Sequence, residues 1–146
     1  MELYPFVFFA PFIFGIFFVA IWLAVTLLLS LMSGWARLAK IYPARAKFEA
    51  EQWHFVSGQL RNFVSYRNCL TVGANADGMH LSILLPFRVG HPPLFIPWSD
   101  IAVAEDRLFF TKVGRFTFRR APEVKVVIWL DIAKKVVAKG PLQLAT

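Results

Sequence analysis

A chain of 146 residues that is 58% hydrophobic, carries 16 Lys and Arg against 9 Asp and Glu, and has one cysteine excludes several classes of protein at once. Without its apolar N-terminal stretch, about 110 residues remain from Arg37 onward, enough for one small core and not for two. The lone Cys69 rules out an internal disulfide, and the net charge of +7 comes with no nucleic-acid recognition motif, so the basic excess points to anionic lipid or an acidic partner.

Between Glu2 and Arg37 there is no Asp, Glu, Lys or Arg. A bilayer's hydrocarbon core is roughly 30 Å thick and takes about 20 apolar helical residues to cross. The run therefore predicts one transmembrane helix, approximately Phe6 to Met32, within an anchor of residues 1–36. No basic residue precedes it and it is too long for a cleaved signal core, so it is expected to stay attached. Pro5 and Pro11 fall in the first turns, where a missing donor costs least, and Tyr4 and Trp35 flank the span as interfacial aromatics. Phe6, Phe8, Phe9, Phe12, Phe14, Phe17 and Phe18 crowd its first half, as a lipid-facing surface or a face for other helices. Ala20 with Ala24, and Ser30 with Gly34, have the small-xxx-small spacing of helix packing.

Residues 37–51 read as an interfacial helix and connector. Trp35, Leu38, Ala39 and Tyr42 recur at helical spacing with Arg37 and Lys40 off that stripe, which predicts a short amphipathic helix at the headgroups, stopped by Pro43. The expected membrane-interface residues are Trp35, Arg37, Lys40, Tyr42, Arg45 and Lys47. Under the positive-inside rule the four basic ones put the N-terminus outside and the following domain in the cytoplasm.

From Trp53 the hydrophobic period changes to two, which predicts a small mainly-β domain over residues 52–140. One or two strands run around Ser57-Gly58. Asp77-Gly78 suits a two-residue type I′ hairpin turn, whose closure pairs Ala74 with Leu81, Val72 with Ile83 and Leu70 with Leu85. Phe87 to Pro93 is a loop, and Leu94 to Trp98 is an edge strand because Pro97 cannot donate to a ladder. A strand from Ile101 to Thr111 turns at Val113-Gly114 and returns from Arg115 to Arg120, which gathers Phe109, Phe116 and Phe118 on one face and sets Arg107 against Arg120. After a last strand, Val124 to Trp129, Asp131 caps a helix with Ile132, Val136 and Val137 as its apolar stripe. Gly140-Pro141 ends it, and residues 141–146 form a tail.

Chemistry is sparse. His54, His80 and His91 lie in three elements, Cys69 has no CxxC partner, and no nucleophile elbow or phosphate-binding loop is present. Glu105 and Asp106 point to opposite faces of one strand. The expectation is no enzyme, no cofactor and no metal. Arg107, Lys112, Arg115, Arg119 and Arg120 form the candidate site for an anion or a partner, since like charges facing each other across a hairpin favour a nearby counter-charge.

Sequential antiparallel strands followed by one C-terminal helix, with the corner Ile96-Pro97-Trp98-Ser99-Asp100-Ile101, resemble the small bacterial membrane-tethered domains of the pleckstrin-homology-like (PH-like) superfold. The resemblance runs from about Trp53 to Lys139. It implies a bent antiparallel sheet or partly open barrel plugged by the helix, and a role in protein contacts within envelope assemblies. The phosphoinositide pattern of eukaryotic PH domains has no counterpart, because the first strands offer only Arg61 and Arg67. The expected function is a single-pass inner-membrane protein that presents a cytoplasmic interaction domain as an accessory or scaffold subunit, with the bilayer and an integral membrane protein as partners. The alternative is a module that binds anionic lipid headgroups, and a membrane-bound enzyme is a third reading.

Overall fold

The computed structural model describes residues 4–44, 48–61 and 64–142. Helix α1, Tyr4–Ser33, is 30 residues long, uncharged, and long and apolar enough from Pro5 to Ser33 to cross a membrane. Pro11 lies inside it, where the missing N–H removes one intrahelical bond. Gly34 ends the helix at φ 87°, a left-handed conformation that glycine adopts without cost. A Cβ there would stand 2.6 Å from Val124 Cγ2, so the space as well as the dihedral requires glycine. The chain restarts as α2, Trp35–Ile41.

Seven strands follow: β1 Gln52–Leu60, β2 Val64–Ala74, β3 Gly78–Ile83, β4 Leu94–Pro97, β5 Ile101–Leu108, β6 Thr111–Phe118 and β7 Ala121–Trp129. They form one antiparallel sheet in the order β4-β3-β2-β1-β7-β6-β5, and α3, Leu130–Val137, comes last. The mainly-β architecture with a C-terminal helix is the one expected. β4 and β5 lie at opposite edges, yet only Trp98, Ser99 and Asp100 join them, a link of about 10 Å at full stretch. The sheet must therefore curl until its edges approach at that corner, without a ladder to close it.

One core fills the curl. Leu70, Val72, Leu81 and Ile83 from the first hairpin, Phe116, Phe118, Val126 and Ile128 from the second half, Trp35 and Leu38 from α2, and Ala133 and Val136 from α3 belong to the same buried cluster. Full burial of a side chain of Leu or Phe size contributes roughly 1.5–3 kcal/mol, so α2 is held to the domain by hydrophobic burial. This differs from the headgroup position expected for its stripe. Trp35 and Tyr42 are 0% and 4% exposed and face the sheet. A seven-residue helix beside an open-sided sheet buries its apolar stripe where seven strands already offer apolar surface.

Other expectations are corrected in register. Of the one or two strands expected around Ser57-Gly58 there is one, the bulged β1, with Phe55 at φ 57°. In the first hairpin Ala74 pairs with Met79, Val72 with Leu81 and Leu70 with Ile83, a shift of two residues from the type I′ closure. Asn75 locks the turn one residue earlier, at Ala76-Asp77: its N–H donates to the Gly78 carbonyl, and its Oδ1 accepts the N–H groups of Asp77 at 2.8 Å and Gly78 at 3.0 Å. Because the shift is even, every side chain keeps its face.

The second hairpin turns at Phe109-Phe110, not at Val113-Gly114, and Leu108 pairs with Thr111. Phe109 takes φ 58°, the positive value that the first position of a type II′ turn needs. Gly114 is mid-strand, where a Cβ would collide with Ala133 of α3. Its glycine serves helix-on-sheet packing. Arg107 accordingly faces Lys112, and Phe109 does not join Phe116 and Phe118. The expected edge strand holds, with Pro97 at the end of β4. Asp131 sits in the first turn of α3 and makes no cap bond; Trp129 is the N-cap residue.

Candidate functional site

The residues with a defined chemical setting fall in three places: the junction of α1 and the β domain, a cavity beside β3 and β4, and the tips of the β5–β6–β7 meander.

At the junction, the last turns of α1 bury Thr26, Ser30 and Ser33 against the domain. The Ser33 and Tyr66 hydroxyls are 3.0 Å apart, and the Tyr66 oxygen is 2.8 Å from His91 Nε2. His91 Nδ1 lies 3.0 Å from the Val89 carbonyl. A carbonyl only accepts, so Nδ1 carries the proton and Nε2 accepts from Tyr66. Burial pushes the Tyr66 hydroxyl up to about 12 and pushes His91 down, which keeps both neutral near pH 7. Trp35 Nε1 donates to the Pro92 carbonyl at 2.8 Å, and its ring meets Tyr66 and His91 edge-on. Ser30 donates to the Gly90 carbonyl, and Trp22 packs on Phe87 with ring centroids 5.0 Å apart. The β3–β4 loop is thus fastened along the C-terminal part of α1.

The cavity, about 790 Å³, opens between the α2–β1 connector and the β3–β4 ladder. Tyr42, Phe48, His80, Phe95, Asp100 and Arg120 line it. Phe48 stacks on His80 at 4.7 Å and 16°, covering the face of the first hairpin that the sequence marks as polar. His80 is 7% exposed, its Nδ1 has no partner among the described residues, and burial, then the charge of Arg88, lowers its pKa. Asp100 accepts from the Tyr42 hydroxyl at 2.9 Å, and the Arg120 guanidinium lies over the Tyr42 ring at 5.9 Å. This is an aromatic recess with a neutral imidazole, suited to stacking and hydrogen bonding. Among the described residues no carboxylate is bonded to His80, and no group of His, Cys, Asp and Glu could hold a metal ion. Cys69 is half-buried and its thiol is pushed up by burial, away from thiolate reactivity.

The five basic residues of the meander do not form one site. Arg107 and Lys112 flank the Phe109-Phe110 turn, while Arg119 and Arg120 form the β6–β7 turn at the other end of β6, about 20 Å away along an eight-residue strand. Arg115, between them, is paired with Asp106. On α2, Arg37 pairs with Glu123 and Lys40 is exposed. Arg45 and Lys47 lie outside the described residues, as do Phe63 and the tail from residue 143.

Sequence reasoning missed the Ser33–Tyr66–His91 chain, the cavity around His80, and the Phe109-Phe110 tip, whose rings are 88% and 100% exposed. A Phe pair between Arg107-Leu108 and Thr111-Lys112 was the available signal for a hairpin tip. The buried hydroxyls had none, because a serine at the end of an apolar run reads the same whether it meets lipid, water or protein.

The fold and these sites define a class, a curled antiparallel β domain joined through its core to one apolar helix. No protein-family model matches the chain, and no curated protein or solved structure matches it either.

Proposed function

We propose that this protein is a single-pass membrane protein whose PH-like β domain acts as an interaction module, an accessory or scaffold subunit of an assembly in a bacterial inner membrane. The observation that carries the reading is α1. From Phe6 to Met32 it exposes large apolar side chains, with Phe14 72% exposed, a surface that water does not tolerate and a bilayer or neighbouring helices would cover. The domain then continues from that helix through a buried junction, so it is held at the membrane in a set orientation. Such confinement raises its effective concentration for a partner in the same membrane.

The basic residues after the span, Arg37 and Lys40 with Arg45 and Lys47, support a cytoplasmic domain under the positive-inside rule. The strand order and the corner from Ile96 to Ile101 support the PH-like reading. The absence of a catalytic motif in the sequence favours binding over catalysis as the domain's task.

The test is affinity purification of the full-length protein from its native membrane in mild detergent, with mass spectrometry of what accompanies it. Repeated recovery of one membrane complex is the expected result. A lone monomer with no protein partner overturns the scaffold reading and moves attention to lipid binding at Arg119 and Arg120.

A further inference from the structure

The β3–β4 loop touches α1 at a level that decides where the loop itself must lie. From Tyr4, the first described residue of the helix, to Trp22 is about 27 Å at the helical rise of roughly 1.5 Å per residue, less than the roughly 30 Å of a hydrocarbon core. A span that begins at Tyr4 is still in hydrocarbon at Trp22, and one that begins later, or tilts, puts Trp22 deeper. Phe87 packs its ring on Trp22, and Gly90 lies against Leu27 and Ser30 one to two turns further along.

We propose that Leu84 to Val89 is a second membrane-embedded element, whose apolar side chains enter the acyl chains of the leaflet next to α1. This rests on the reading of α1 as a transmembrane helix. The composition of the loop fits that occupant. Leu85 is 70% exposed, and Leu84 and Val89 are about two-fifths exposed, although the β3 residues preceding them are all buried. A loop in hydrocarbon must satisfy its own backbone. Here Phe87 N–H donates to the Leu84 carbonyl and Arg88 N–H to the Leu85 carbonyl, closing a 3₁₀ turn, and the Gly90 carbonyl is taken by Ser30. The one charged side chain of the loop, Arg88, folds back: its Nε and Nη2 donate to the Ile83 carbonyl at 3.3 Å, toward the domain and away from the tip. The bilayer is the favoured occupant because this apolar surface is continuous with that of α1.

The consequence is a domain seated on the membrane at two points, so that it cannot swing about its anchor. The test uses full-length protein in nanodiscs of phosphatidylethanolamine and phosphatidylglycerol, with Cys69→Ser as background and a nitroxide attached at one introduced cysteine. Phe14→Cys reports the span, Leu85→Cys the loop, and Asp77→Cys the opposite end of β3 in water. Collision with oxygen relative to a water-soluble nickel chelate is expected to be severalfold higher at positions 14 and 85 than at 77. If position 85 matches 77 while 14 stays lipid-exposed, the embedded loop is wrong and the transmembrane reading stands. If 14 also meets the chelate, both fall. If 85 collides with neither reagent, a protein covers the loop and the proposal is overturned. Val89→Cys gives the same contrast should Leu85→Cys fail to reconstitute.

Discussion

From Pro5 to Ile21 the side chains of α1 stand exposed apart from the half-buried Ala10, whereas from Trp22 to Ser33 one stripe of the same helix is covered: Trp22, Thr26, Leu29 with Ser30, and Ser33, at spacings of three and four residues. Hydropathy does not separate the two parts, since Leu27, Leu28, Leu29 and Leu31 are as apolar as what precedes them. The difference lies in the small hydroxyl residues on one face. A helix hydroxyl can bond back to its own preceding turn, as Thr26 does to the Trp22 carbonyl at 2.7 Å. Ser30 and Ser33 reach into the domain, so the second part of the helix belongs to the domain's architecture.

The largest expected effect separates the two parts directly. Trp35→Ala, just past the junction, removes a fully buried ring and its bond to Pro92, and should lower the stability of the detergent-solubilised domain by roughly 3–5 kcal/mol in thermal unfolding. Phe14→Ala should leave that midpoint unchanged. An equal loss from both would mean that the first part of α1 also packs on the domain. Next comes Gly34→Ala, which forces a left-handed alanine against Val124 and should cost about 2 kcal/mol or more, read as a lower unfolding midpoint by circular dichroism. Tyr66→Phe leaves Ser33 and His91 without their shared hydroxyl in a buried place, and a loss of about 1–3 kcal/mol is expected by the same measurement.

The pH response sharpens the comparison further. Burial lowers the pKa of both His80 and His91 from the ordinary 6.5, so below that value the unfolded chain binds protons that the folded one refuses. Stability should be at its plateau above pH 7 and fall as pH drops through 6.5 until the folded pKa values are passed. His80→Leu, which removes an imidazole with an unpartnered Nδ1, should reduce that slope and spare the plateau. An unchanged slope would leave the junction histidine, His91, as its source. Smallest of all is Asp106→Asn at the partly exposed pair with Arg115, expected to cost less than about 1 kcal/mol.

Several elements were legible because their signals are local. An uncharged run from Leu3 to Ala36 marks the apolar helix, Pro97 marks an edge, and the spacing of Val136 and Val137 marks the inner face of α3. Alternation from Leu70 to Ile83 settled which side chains face the core even though the register was displaced by two, because an even shift preserves the face. The candidate basic site fared differently. Its five residues were gathered by a turn placed at Val113-Gly114, and moving the turn to Phe109-Phe110 distributed them between the two ends of β6.

By itself the sequence determined that an apolar helix precedes one small mainly-β domain with a C-terminal helix, because hydrophobic periodicity and charge are properties of neighbouring residues. Only the tertiary structure decided that α2 enters the core, that Gly114 yields to Ala133 of α3, and that Ser33, Tyr66 and His91 form one chain. Each of these is a meeting of residues separated by 19 positions or more, or by a turn of ambiguous place, and it becomes determined only when the sheet curls and brings their surfaces within contact distance.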